Sequence, residues 1–323
     1  MDTQLDQFIV NLKILKPKYT EGKIVKEIDN VTVVKAKNSQ GQYIYLKRIK
    51  LIDTRGNVFS MQLLSFKRIF AVDRFKEEQD KYLNDTINLN RHLATEPYIY
   101  NNILCNGCKY IIHHNEVFKQ NLHQNEICIE LASSGVSLHD ILMEMTEKQQ
   151  IFKLESLYQV TENILRALQY CHASNIIHCD VKCSNIIYDP VKKIFCLFDF
   201  GVARIKPERY GMLPHSSDVN PDTYQPPEIL LGKPFNEKVD IFSLGCMLSA
   251  ILNWKETFTN TIEQISYPQQ RARYIHDQVS NGKSLTYIKD PVLKCFIVSL
   301  LSYEIDDRPN SSVALENLLV SLL

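Results

Sequence analysis

Residues Ile176–Gly201 read IIHCDVKCSNIIYDPVKKIFCLFDFG. Asp180, Lys182 and Asn185 follow His178 by two, four and seven residues. Asp199-Phe200-Gly201 begins fourteen residues after Asn185, behind the apolar run Ile194–Phe198. Two carboxylates, an amide oxygen and an amine are thus delivered by turns on either side of a strand. Such a set suits orienting a hydroxyl, offsetting an anion and binding a hard divalent cation through oxygen.

Composition narrows the class. The 323 residues carry 37 basic and 37 acidic side chains, a net charge of zero, so no charge surplus points to nucleic acid or an anionic membrane. Apolar residues make up 45%, enough for a sizeable core. The start MDTQLDQFIVNLK holds two Asp and no long apolar run, which excludes a signal peptide. No apolar stretch approaches the roughly 18 residues of a membrane helix. Nine cysteines, an odd number, fit reduced thiols and a cytoplasmic or nuclear location. Cys105-x-x-Cys108 is a lone pair without a zinc-ribbon partner, and the adjacent His113 and His114 are expected to point apart on a polar strand.

Two regions follow from pattern. Residues 24–70 read as strands, about 29–37, 42–52 and 58–68, with turns at Asn38–Gly41 and Asp53–Asn57. Phe75, Tyr82, Leu89 and Leu93 mark an amphipathic helix over about 73–93, and strands follow at about 110–119 and 126–131. Beyond Gly135 the pattern is helical. Leu157, Val160, Ile164, Leu168 and Cys171 form one face, the apolar stretch Asp240–Ile251 predicts a buried helix, and a last helix covers about 312–322. The expected class is α+β: an N-terminal extension 1–23, a small antiparallel β-sheet lobe with one main helix over 24–131, and a larger helical lobe over 132–323.

The Ile176–Gly201 stretch resembles the catalytic loop and metal-binding turn of eukaryotic protein kinases. So do Tyr224-Gln225-Pro226-Pro227-Glu228, Asp240 at the head of the buried helix, and Arg308 near the end, all in order. The resemblance implies a bilobal kinase fold using ATP and Mg²⁺ on protein substrates. Asp180 would orient the attacking hydroxyl, Lys182 would meet the γ-phosphate, and Asn185 and Asp199 would hold the metal. Glu228 and Arg308 would pair in the core, Asp240 would hold the catalytic-loop backbone, and His178 would stack with Phe200. Cys179 stands where such kinases usually carry arginine. An uncharged residue there removes one receptor for an activation-loop phosphate, and its simplest role is that of a small filler.

The nucleotide side leaves three registers open for the phosphate-binding lysine. Leu64-Ser65-Phe66-Lys67 resembles Val-Ala-Ile-Lys and puts Lys67 eighteen residues before Asp85, its acidic partner. Ile44-Tyr45-Leu46-Lys47 would set Tyr45 against the adenine, and Phe59-Ser60-Met61-Gln62 lacks the amine. The Lys67 register puts the phosphate loop near Ser39–Tyr43, where Gly41 is the one glycine. Ile129-Glu130-Leu131-Ala132 resembles the hinge, with Glu130 and Ala132 offering backbone groups to adenine.

Lys182, two residues after Asp180, favours serine and threonine over tyrosine. Phe66–Ile69, Asp80–Ile87, Val219–Glu228 and Ser243–Leu248 resemble the monopolar spindle (spindle checkpoint) kinases, implying a cell-division role with cell-division regulators as partners. Asn220-Pro221 departs from that family's Gly-Thr. Tyr188-Asp189-Pro190 resembles the replication-origin-firing kinases, and Pro227–Gly232 the cyclin-dependent ones. A scaffold that has lost catalysis is the alternative from another class, motivated by the depleted glycine loop.

Overall fold

Alternating β-branched and aromatic residues build an antiparallel sheet in the first part of the chain. The computed structural model describes residues 2–12, 20–28, 30–37, 43–51, 93–104, 107–119, 126–131, 135–206, 211–214, 224–252, 270, 272–274, 277, 285 and 288–321. These fall into two compact units, one within residues 1–106 and 113–134, the other within 107–112 and 135–323.

In the first unit a helix, Asp2–Asn11, precedes β1 (Thr20–Ile28), β2 (Val31–Lys37), β3 (Tyr43–Lys50), β4 (His114–Lys119) and β5 (Glu126–Leu131). The strands lie in the order β1-β2-β3-β5-β4, all neighbours antiparallel. Val34, Ala36, Ile44, Leu46, Phe118 and Cys128 form a buried cluster. Directly paired residues share a sheet face, so Lys47, registered with Val33 on one side and Ile129 on the other, shares the opposite face with them. Residues 93–98 are helical and run into a π-helical turn, Ile99–Ile103.

β1 begins inside the expected extension 1–23. As an edge strand, it leaves Ile24 and Val25 55% and 56% exposed beside exposed Lys23 and Glu27, so no in–out alternation marks it. The expected strand 58–68 lies outside the described residues, as does the expected helix 73–93 except for its last residue. His113 precedes β4, and its ring lies 5.7 Å from that of His114 instead of on the opposite face of a strand.

The second unit is mainly helical. A two-residue β6 (Val136–Ser137) leads into the helix Leu138–Glu147, whose first turn is capped by Ser137 Oγ accepting from the Asp140 amide. The helix Leu154–Ala173 follows, then β7 (Ile176–Ile177), β8 (Ile186–Asp189), β9 (Ile194–Leu197) and β10 (Arg204–Ile205). β8 is central between β6 and β9, and β10 pairs with β7. The helix Lys238–Leu252 is buried at every position from Val239 to Ile251, as its all-round apolar pattern requires. The helices Pro291–Leu300 and Ser311–Ser321 complete the unit. The eight described cysteines are free thiols, and burial pushes Cys183 and Cys196 up to about 12.

Gly245 fits where the helix Lys238–Leu252 meets the helix Pro291–Leu300. A Cβ there would lie 2.9 Å from Leu301 Cγ and 3.0 Å from Leu300 Cβ, neither of them the mobile end of a side chain. Overpacking of this kind costs about 1–3 kcal/mol, against about 1 kcal/mol gained in helix propensity. Gly245→Ala is therefore expected to lower the urea midpoint, whereas Gly211→Ala, whose Cβ meets nothing within 4 Å, leaves it unchanged.

Candidate active site

Ile177 ends β7, and the chain then turns sharply through His178-Cys179-Asp180. Cys179 has φ 63°, a left-handed conformation unfavourable for a side-chain-bearing residue. Asp240 holds it there. Its fully buried carboxylate accepts from the His178 amide at 2.9 Å and the Cys179 amide at 2.8 Å. A third contact comes from His172 Nε2 at 2.9 Å, and His172 Nδ1 lies 3.1 Å from Ser311 Oγ at the head of the last described helix. Three donors satisfy a charge that burial would otherwise make costly. Burial and the nearby Asp240 carboxylate raise the Cys179 thiol well above its usual range, so it is neutral at physiological pH.

His178 joins this loop to the next. Its Nε2 lies 3.1 Å from the Phe198 carbonyl, which can only accept, so Nε2 carries the proton. Nδ1 then accepts from the Asp180 amide at 3.2 Å. The ring packs edge-on against Phe200 at 4.8 Å. One ring thus ties the Asp180 amide to Phe198, the residue before Asp199.

The functional groups cluster on this frame. Lys182 Nζ lies 2.8 Å from Asp180 Oδ1, while Asn185 Nδ2 donates to Asp180 Oδ2 at 2.7 Å and to its carbonyl at 2.9 Å. The Asp180 and Lys182 side chains are 22% and 29% exposed, open enough to meet a substrate. β8 and β9 pair Ile186 with Leu197, which sets Asn185 and Phe198 at the same end of the hairpin. The Phe198 amide donates to the Asn185 carbonyl at 3.1 Å. Asp199 follows with φ 66°, its Oδ1 accepting from the Gly201 amide at 3.3 Å. Among the described residues, no cluster of three or more His, Cys, Asp or Glu side chains could hold a metal. The donor set is instead one carboxylate and one amide oxygen, which suits a hard cation completed by water and phosphate oxygens.

The segment after the site is anchored by Arg308. Its Nη1 and Nη2 donate to Glu228 Oε1 and Oε2 at 2.6 and 2.7 Å. Nε donates to the Ser302 carbonyl, Nη2 to that of Tyr303 and Nη1 to that of Lys238, so all five N–H groups are used. Tyr224, Gln225 and Pro226, just before this anchor, line a cavity of about 20 Å³ with Cys179 and Asp180.

In the first unit, Lys47 of β3 forms a buried ion pair with Glu96 at 2.6 Å. Glu96 sits in the helical run 93–98 directly before Pro97, a residue that withholds its amide from the carbonyl of Leu93. Lys67, Asp85, Gly41 and Ala132 lie outside the described residues. Glu130 is on β5, registered with Leu46, and its carboxylate accepts from Asn115 Nδ2 at 2.7 Å. Glu96 was missed by sequence reasoning, because Pro97 directly after it reads as a helix breaker.

Comparison with known proteins gives the same direction. A model described as protein kinase domain matches residues 54–320. The chain is 30% identical over 186 residues to the serine/threonine-protein kinase STY46 of Arabidopsis thaliana, covering 57% of this chain and 30% of that protein. It is 32% identical over 126 residues to cyclin-dependent kinase 12 of Drosophila melanogaster, covering 39% and 11%. It is 30% identical over 142 residues to cyclin-dependent kinase 1 of Encephalitozoon cuniculi, covering 44% and 47%. The chain thus spans less than half the length of each of these relatives. Lys47 lies ahead of the matched region, so its pairing with Glu96 stands on geometry alone.

Arg308→Ala leaves the Glu228 carboxylate buried and unpaired and is expected to cost about 3–5 kcal/mol in urea unfolding. The double variant Glu228→Gln with Arg308→Met removes both charges and is expected to lose less than Arg308→Ala alone.

Proposed function

The chain belongs to the protein kinase family, and from that membership we propose that it transfers the γ-phosphoryl group of ATP to serine or threonine hydroxyls of proteins. The observation that carries the reading is the Asp180 carboxylate, fixed by Lys182 and Asn185 and still open to solvent. Asp180 accepts a hydrogen bond from the substrate hydroxyl and aims its oxygen at phosphorus. Lys182 offsets charge on the transferred group. With Nδ2 committed to Asp180, Asn185 offers Oδ1 as a metal ligand beside the Asp199 carboxylate. Magnesium, when bound with the nucleotide, neutralises charge across the phosphates.

Lys47 is the lysine that holds the α/β-phosphates in this reading, with Glu96 as its partner. Its support is the buried 2.6 Å pair. Glu130 and Ala132 border the adenine, with Gly41 in the loop above the phosphates, supported by sequence resemblance. The preference for serine and threonine draws on Lys182 and on the relatives' names. A cell-division role of the spindle checkpoint type is the narrower part of the proposal. The cyclin-dependent relatives favour cell division, and the resemblance at residues 219–228 and 243–248 favours the checkpoint type.

The test is radiolabel transfer from Mg·ATP to a generic basic protein, followed by phosphoamino-acid analysis. The expected label is on serine and threonine, and Asp199→Ala is expected to lower kcat by about a hundredfold or more. Lys47→Arg is expected to lower transfer strongly while Lys67→Arg leaves it near wild type. Equal turnover in Asp199→Ala would overturn the assignment. Mg·ATP binding without transfer by the wild-type chain would favour the scaffold alternative.

A further inference from the structure

The N-terminal helix Asp2–Asn11 lies outside the residues that match the family model, so family membership gives it no role. We propose that it is a built-in clasp that positions Glu96 against Lys47; this rests on the reading of that pair given above. The first observation is local. The helical run that carries Glu96 is a poor holder of its own geometry. A residue before proline is disfavoured in the helical region, and Pro97 removes one helical hydrogen bond. The next turn, Ile99–Ile103, widens to a π-helix, closing with the Leu104 amide on the Ile99 carbonyl. A helix broken this way needs outside contacts to fix where its glutamate points.

The N-terminal helix supplies one. Leu5, Phe8 and Leu12 recur at the spacing of one helix face and are buried, with 2%, 9% and 9% exposure, while Gln4, Gln7 and Asn11 are exposed. Phe8 meets Tyr98 edge to face, with ring centroids 5.5 Å apart and planes at 88°, a favourable aromatic geometry. Tyr98 stands two residues after Glu96, immediately beyond Pro97. Inside the π-turn, buried Tyr100 packs against the His114 ring at 5.4 Å. The broken segment is thus held at the junction of its two turns, by Phe8 on Tyr98 and by His114 of β4 on Tyr100. Beside the N-terminal helix runs a cleft of about 880 Å³, lined by Gln4, Gln7, Phe8 and Asn11 of the helix and by Tyr98 and Asn102 of the segment it contacts.

The test uses the full chain and two readouts, hydrogen exchange of residues 93–103 and initial rates with Mg·ATP. Phe8→Ala is expected to raise exchange in 93–103 while β3 keeps its protection, and to raise the KM for ATP by about tenfold. Phe8→Tyr, which keeps the ring edge, is expected to restore both. Tyr98→Ala should match Phe8→Ala, and the double variant should add little, because both remove the same contact. Unchanged exchange in 93–103 for Phe8→Ala overturns the clasp. So does a loss of protection that strikes β3 equally, since the helix would then be a general prop. If the wild-type chain transfers no phosphate, the proposed function fails on that result, and the exchange arm still decides the clasp.

Discussion

One buried carboxylate sets the geometry of the loop that carries Asp180. Asp240 projects from a helix that is otherwise sequestered from water, a place where an unsatisfied ionised group would cost several kcal/mol. The charge is tolerable because the His178 and Cys179 amides and the His172 ring all point at it. The same contacts force Cys179 into a left-handed conformation, which turns Asp180 out of the core. His178, held by its amide, spends its ring proton on Phe198 and its lone pair on Asp180. Asn185, Phe198 and Asp199 then follow from one hairpin end. A chain of hydrogen bonds thus runs from Ser311 through His172 and Asp240 to the loop that carries the chemistry.

The Lys47–Glu96 pair of the first unit is built differently. Lys47 is set by strand register, between Val33 and Ile129, and has little freedom of position. Glu96 sits on a segment interrupted by Pro97 and widened at Ile99–Ile103. A buried pair is strong only when its geometry is enforced, because desolvation offsets much of the attraction. Placing one partner on a rigid strand and the other on an interrupted helix makes the pair an adjustable element of the first unit. Phe8 and Tyr98 lie where adjustment would be felt.

Much of the second unit was legible because its signals are local or compositional. The steps from His178 to Asn185 and the Asp-Phe-Gly turn are short and fixed. The helix Lys238–Leu252 has no polar face and so must be buried, and the resemblance to protein kinases implied the Glu228–Arg308 anchor. Less could be read in the first unit. β1 exposes both of its faces and shows no alternation. Tyr45 weighed against the Lys47 register in the sequence; its ring is only partly buried and lies 5.8 Å from Lys35 Nζ. Pro97 reads as a helix breaker, which hides a helical glutamate directly before it. The His172–Ser311 contact joins residues 139 apart in sequence, and no periodicity reports such a link.

The most direct measurement is affinity labelling with an acyl-phosphate derivative of ATP, which acylates lysines beside the bound phosphates, followed by mass-spectrometric mapping. The geometry predicts ATP-protected labelling of Lys47, reduced when Glu96 is replaced by Gln. Protected labelling of Lys67 with none at Lys47, or no ATP-protected lysine at all, would contradict it.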